Sequence, residues 1–292
     1  MSTLGFVGLG TMGRPMVERL LDAGYEVHGH NRTAAKARAL IDKGLHWCDT
    51  PREVAEKSDF VISMLTDDAA LEAVAGGSDG ILAGLAAGKI YVDMSTVSPE
   101  TSRALAEQAR ERGAQMLDAP VAGSVPQVEQ GSLTIMVGGD KAAFDGVASV
   151  LGEWGSPAYI GPNGQGLLLK LAINISLAAQ MIAFSEGVLL AERGGIDRGK
   201  ALEVMAGSAI GSPMLKARAP FLMKLPEQSW FTLDLLHKDI RLALEAGKQL
   251  NAPLPSAHAA DDTLGQAHEA GFGHDDIAAV FKALCESRAG SD

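Results

Sequence analysis

Residues 5–15 read GFVGLGTMGRP, and Gly8, Gly10 and Gly13 fall in the spacing G-x-G-x-x-G. Alone, that spacing is either a dinucleotide cradle or merely a tight turn, because short glycine patterns recur by chance. Its flanks carry the information. Residues 3–7 form an apolar run of strand length, Met12, Met16 and Leu20 recur at helical intervals up to Gly24, and YEVHGH at 25–30 alternates as a second strand. Strand, glycine turn, helix and strand within about 30 residues is the context in which a helix N-terminus holds a pyrophosphate. A chain that starts this way is committed to a parallel βαβ beginning.

The alternation continues through apolar runs at 59–65, 90–96, 114–121 and 131–139, with a last short run at 158–161. Helix alternating with strand implies a largely parallel sheet covered on both faces. After Pro162 no proline occurs until Pro213, and Ala and Leu dominate. Residues 164–193 read as one helix about 45 Å long, stopped by Gly194-Gly195. Its most apolar stretch, 167–184, contains Lys170, Asn174 and Gln180 and reads as buried in protein rather than facing lipid. The expected fold class is α/β: a Rossmann-type, doubly wound N-terminal domain over 1–162, joined by the long helix to an all-α domain over 163–292.

A formal net charge of −11 leaves no basic footprint for nucleic acid or an anionic membrane. Cys48 and Cys285 form no C-x-x-C pattern, and residues 1–10 have no basic start, so reduced thiols in a cytoplasmic protein are expected. The histidines show no H-E-x-x-H or clustered Cys/His spacing, and no metal is expected.

The end of the second strand of such a domain carries an acidic residue when the cofactor is NAD. Here the stretch is HNRTAAKAR, with Asn31, Arg32 and Thr33 and, a turn later, Lys36. Two cations and a hydroxyl suit a 2′-phosphate, so NADP(H) is expected in preference to NAD(H). The competing reading is a solvated basic helix start.

Two segments stand where a parallel sheet places its working loops. DMSTVSP puts Ser95 and Thr96 just past a strand, and DAPVAGSVP offers small residues at 122–124 with the Ser124 hydroxyl, or else a flexible turn. In GQGLLLKLAINIS, Lys170 and Asn174 lie four residues apart, on one helix face. A buried ammonium must meet a partner, lose its proton or face a wet cleft; a surface lysine lying along an apolar face is the alternative.

GFVGLGTMG, DMST, DAPVAGS, GLLLKLAIN and KDIRLAL occur in the order seen in the β-hydroxyacid dehydrogenases, and the chain resembles that family from about residue 3 to 285. The group includes 3-hydroxyisobutyrate dehydrogenase, tartronate semialdehyde reductase and glyoxylate/succinic semialdehyde reductase, and NRT resembles the NADP-using branch of the last. The resemblance implies an essential catalytic Lys170, with Asp239 near the catalytic centre and Lys238 near the cofactor. It places Thr96 by substrate and nicotinamide, Asn174 on the substrate, and Ala122, Gly123 and Ser124 at its carboxylate. Phe231 aligns with an aromatic that lines the site. The expected cofactor set is Gly8, Leu9, Gly10, Thr11, Met12, Gly13, Asn31, Arg32, Thr33, Lys36, Met64, Leu65, Thr96 and Lys238. Two departures bear on substrate identity: D-A-P-V-A-G-S replaces the commoner D-A-P-V-S-G-G, and Asp234 stands where the semialdehyde branch tends to be basic. The implied reaction is NADP(H)-dependent reduction of a small carboxylate-bearing aldehyde to a hydroxyacid, or its reverse, with Lys170 held between two domains. Partners are that small anionic substrate and a second copy, as homodimer or homotetramer. An imine reductase-like activity and a non-catalytic NADP-binding protein are the competing functions.

Overall fold

The structure is a computed structural model and describes residues 2–286; the expected domain ranges reach slightly beyond these, at 1 and 287–292. By its internal contacts the chain divides into one unit ending at Lys170 and another starting at Leu171.

The first unit is built on a nine-stranded sheet. Its strands are β1 (Leu4–Val7), β2 (Val27–His30), β3 (His46–Trp47), β4 (Phe60–Ser63), β5 (Ile90–Asp93), β6 (Gln115–Asp118), β7 (Val121–Ala122), β8 (Leu133–Gly138) and β9 (Gly155–Gly161). They run in the order β3-β2-β1-β4-β5-β6-β8-β7, with β9 on β8. From β3 to β6 every pairing is parallel, and β1 is buried along its whole length, as a strand covered on both faces must be. The far edge departs from that pattern. β8 runs antiparallel to β6 and β7, and only β9 restores a parallel pair. The run at 114–121 is also two strands, not one: Pro120 has no N–H for a ladder, and only its carbonyl is used, by Met136 N–H at 3.0 Å.

Between these strands lie α1 (Gly13–Asp22), α2 (Arg38–Asp42), α3 (Pro51–Lys57), α4 (Asp68–Ala75), α5 (Ile81–Gly84), α6 (Pro99–Arg110), α7 (Val125–Gln130) and α8 (Lys141–Leu151). Thr50, Asp67, Ser98 and Asp140 each cap a helix start by accepting an N–H three residues on. One face of the sheet buries Phe6, Met16 and Leu20 against Trp154, whose indole N–H reaches Met16 O at 2.9 Å.

Helix α9 (Gln165–Arg193) runs 29 residues and passes from the first unit into the second. It is long and apolar enough to cross a membrane. In the second unit, however, Ala178, Met181, Phe184 and Val188 recur every three to four residues in the core, while Gln180 and Glu186 are exposed. That stripe packs against α12 (Leu233–Gln249), α13 (Pro255–Ala267) and α14 (Val280–Glu286) through Leu236, Ile240, Leu264 and Phe281. With α10 (Arg198–Gly207) and α11 (Pro213–Arg218) the second unit is helical, its one strand-like feature among described residues being a bridge between Thr232 and Asp276.

Candidate active site

The glycine turn lies at the carboxyl end of β1. Gly8 has φ +99°, and a Cβ there would collide with Met64 O and meet Leu65 Cδ2 at 2.9 Å, so the turn sits directly on the loop after β4. A Cβ on Gly13 would strike Gly8 O. Both glycines are fixed by close packing inside the protein. Gly10 is different, because a Cβ there meets no protein atom within 4 Å. Next to it, α1 begins without any side-chain cap, which leaves a helix N-terminus suited to an anion. Leu9, Thr11 and Met12 complete the loop, Thr11 exposed and Met12 half-buried. Asn31 serves the loop itself: its Oδ1 accepts Leu9 N–H at 3.1 Å and its Nδ2 donates to Thr33 O at 3.0 Å. Arg32, Thr33 and Lys36 are exposed at the same end of β2.

At the ends of β4 and β5 a buried polar chain joins two loops. Tyr91 OH and Ser63 Oγ lie 2.8 Å apart, and Ser63 Oγ donates to Asp93 Oδ1 at 2.6 Å. Ser95 Oγ donates to the same oxygen at 2.6 Å while accepting Leu65 N–H at 2.8 Å. Burial pushes the Asp93 carboxyl up to about 6 against the pull of those hydroxyls, and the Asp118 charge adds to the rise. Thr96, half-buried, follows Ser95 directly.

Asp118 is the register partner of Asp93 on β6. It is fully buried, and burial raises its carboxyl also. Its Oδ1 accepts Gly164 N–H at 2.7 Å and its Oδ2 accepts Leu167 N–H at 3.1 Å, at the first turn of α9. One turn further on is Lys170, only 8% exposed, so it is a buried lysine rather than a surface one. Past β7, Gly123 has φ +130° and is exposed. Ala122 is half-buried. Ser124 N–H donates to Gln127 Oε1 at 2.9 Å, whereas its own hydroxyl is buried and closes no hydrogen bond.

In the second unit Asn174, fully buried, donates to Asp239 Oδ2 at 2.6 Å. Lys238 Nζ lies 2.8 Å from Asp239 Oδ1. Three of the expected residues thus form one cluster, and α9 places Asn174 one turn beyond Lys170. Phe231 is half-buried before α12. Asp276, 1% exposed, holds that segment by accepting the N–H groups of Trp230 and Phe231 at 3.1 and 3.3 Å, and Arg218 pairs with it at 3.2 Å. Asp234 is taken up locally, with His268 Nδ1 at 2.7 Å and His274 Nδ1 at 3.8 Å.

Sequence reasoning passed over Asp93, Asp118 and Asp276. The first two stood inside quoted motifs, at the ends of strands, where a buried carboxylate is a signal in itself. Asp276 had none, because its partner Arg218 is 58 residues away. Burial pushes the Cys48 thiol up to about 11, so it is no nucleophile. Among the described residues no group of three or more His, Cys, Asp or Glu is placed to hold a metal.

Residues 3–162 match the family described as the NAD binding domain of 6-phosphogluconate dehydrogenase. Residues 164–284 match the NAD-binding family of NADP-dependent 3-hydroxyisobutyrate dehydrogenase. Glyoxylate/succinic semialdehyde reductase 1 of Arabidopsis thaliana is 36% identical over 98% of this chain and 99% of its own. 2-(Hydroxymethyl)glutarate dehydrogenase of Eubacterium barkeri is 35% identical over 96% of this chain and 93% of its own. Among solved structures, 3-hydroxyisobutyrate dehydrogenase of Mycobacterium tuberculosis superposes with a TM-score of 0.85 at 28% identity, covering 97% of this chain and 99% of that one. The glycine turn, the buried lysine and the Asn-Asp-Lys cluster therefore belong to an NAD(P)-dependent oxidoreductase, and the chain is a member of the β-hydroxyacid dehydrogenase family.

Proposed function

We propose that this enzyme reduces a small carboxylate-bearing aldehyde to the corresponding hydroxyacid with NADPH, or runs the reverse oxidation. The observation that carries the reading is Lys170: an 8% exposed amine on α9, one turn before Asn174, which is itself bonded to Asp239. Burial takes that amine out of bulk water, where its charge acts more strongly on a neighbouring atom, and an alkoxide forming beside it would need both a proton and a positive field.

The reduced nicotinamide supplies the hydride when bound. Gly10 fits that cofactor, since its missing side chain answers to no neighbour in the protein. The uncapped start of α1 would hold the pyrophosphate, and Arg32, Thr33 and Lys36 would hold the 2′-phosphate. Met64, Leu65, Thr96 and Lys238 would complete the set of residues that hold the cofactor. Lys170 would donate its ammonium proton to the substrate oxygen that becomes the product hydroxyl, and the neutral amine would be reprotonated from solvent. Asn174 holds the substrate while Asp239 fixes its amide. Ala122, Gly123 and Ser124 hold the substrate carboxylate, and the unsatisfied Ser124 hydroxyl supports that role. Phe231 packs on the substrate chain. Exposed Leu190, Ile196 and Val204 on and beyond α9 suit a second copy of this chain, so a homodimer or homotetramer is the working form.

The test is the rate of NADPH oxidation with glyoxylate, succinic semialdehyde, tartronate semialdehyde, methylmalonate semialdehyde and sulfolactaldehyde, repeated with NADH. Turnover of at least one of these, faster with NADPH, is the expected result. Reduction of a cyclic imine alone, or NADPH binding without turnover of any of them, would replace the reading.

A further inference from the structure

Helix α9 starts in an unusual way. Gly164, with φ +89°, occupies the capping position and has no side chain to offer the first-turn N–H groups. The missing acceptor comes from the sheet. Asp118, at the carboxyl end of β6, takes Gly164 N–H on Oδ1 at 2.7 Å and Leu167 N–H on Oδ2 at 3.1 Å. Leu167 is the third residue of the helix, where a local cap would also bond. Two glycines make room for this carboxylate. A Cβ on Gly138 would lie 2.7 Å from both Asp118 oxygens, and one on Gly166 would lie 2.8 Å from Oδ2 and collide with Met136 O.

The other capped helices of this unit, such as α8 with Asp140, carry their caps next to themselves in sequence, and those caps fix only the chain's local path. Asp118 instead clamps α9 to a strand 46 residues earlier, one helical turn before Lys170. β6 is also the strand whose end leads into the 122–124 loop.

We propose that Asp118 is a positioning residue for Lys170: its two-oxygen clamp on the first turn of α9 fixes the height and rotation at which the helix presents that amine to the reacting oxygen. The inference rests on the catalytic reading of Lys170. A misplacement of about 1 Å is enough to cost on the order of a hundredfold in rate, so loosening the clamp should act on kcat before it acts on binding.

The experiment compares Asp118→Asn with Asp140→Asn, an ordinary cap in the same unit, and runs a cycle with Lys170→Ala. Asp118→Asn keeps the shape and one acceptor but turns an N–H2 group toward a helix N–H. It should lower kcat about tenfold or more, leave NADPH affinity within about twofold, and add no further loss in the Lys170→Ala background. Asp140→Asn should lower Tm with kcat unchanged. If Asp118→Asn lowers Tm but keeps kcat within about twofold, or costs as much with Lys170 absent as present, the clamp is structural only and the proposal is overturned. Asp118→Ser covers the case in which the amide variant does not fold, and failure of both to fold also overturns it. Lys170→Ala alone reports on the catalytic reading, so the two failures are distinguishable.

Discussion

The two units bury their carboxylates in different company. In the first, Asp93 and Asp118 stand side by side at strand ends and accept from hydroxyls and backbone N–H groups of their own unit. In the second, Asp239 and Asp276 are each paired with a cation, Lys238 and Arg218, and Asp276 also accepts backbone N–H groups. A carboxylate held by backbone donors locks loops and a helix start in place. One held by side chains and a cation, as Asp239 is by Asn174 and Lys238, can have its field retuned by a single substitution without altering the chain's path. Asp93 and Asp118 therefore fix geometry, whereas the Asp239 cluster offers adjustable charge.

Predictions that test this division run from large to small. Lys170→Ala should lower kcat on the order of 10³-fold while NADPH affinity, followed by fluorescence titration, stays within about twofold. Breaking the charged cluster comes next. Asp239→Asn keeps one acceptor for Asn174 but removes the negative charge that Lys238 faces and turns an amide N–H2 toward one of the two donors, so kcat/KM should fall on the order of 10²-fold, in line with about 3 kcal/mol for a buried charge-assisted network. Retained activity in steady-state assays would remove that cluster from the site. Arg32→Ala should raise KM for NADPH about tenfold, the loss of one exposed phosphate contact, and leave KM for NADH unchanged. Equal effects on both cofactors would erase the 2′-phosphate assignment.

A last prediction, outside this kinetic series, is one of stability. Asp93 titrates at about 6 in the folded chain against an ordinary 3.8, so the folded state binds this proton more tightly than the unfolded one. Its ionisation costs stability, on the order of 3 kcal/mol, as pH rises from about 4 through 6, with no further change above. Asp93→Asn, which keeps an acceptor for Ser63 and Ser95, should be more stable than the parent at pH 7 and should lose that margin toward pH 4. Parallel Tm curves for the two proteins across this range would contradict the assignment.

Much of this was legible along the chain, and the two units differ here too. The βαβ start, the runs at 59–65 and 90–96, and the long helix follow from apolar periodicity. So does the pairing of Lys170 and Asn174 on one helix face. The reversal of β8 was not legible, because burial of a strand on both faces looks the same in either direction. β3 is two residues, one of them exposed, and has no period to detect. The Asn174–Asp239 bond joins residues 65 apart, so only the resemblance of KDIRLAL to the family pointed at Asp239. Asp118 was hidden for the opposite reason: capping is sought next to a helix, and this cap comes from a strand.

The central claim is that Lys170 delivers a proton to the oxygen made anionic by hydride transfer. Its most direct test is chemical rescue of Lys170→Ala with small primary ammonium ions, following single-turnover oxidation of bound NADPH by the best aldehyde of the panel. The account predicts a slow variant whose rate climbs with added ammonium ion and depends on that ion's acidity, while NADPH affinity stays constant. A variant that turns over near the parent rate with no added amine, or one whose cofactor binding is lost along with its activity, would contradict it.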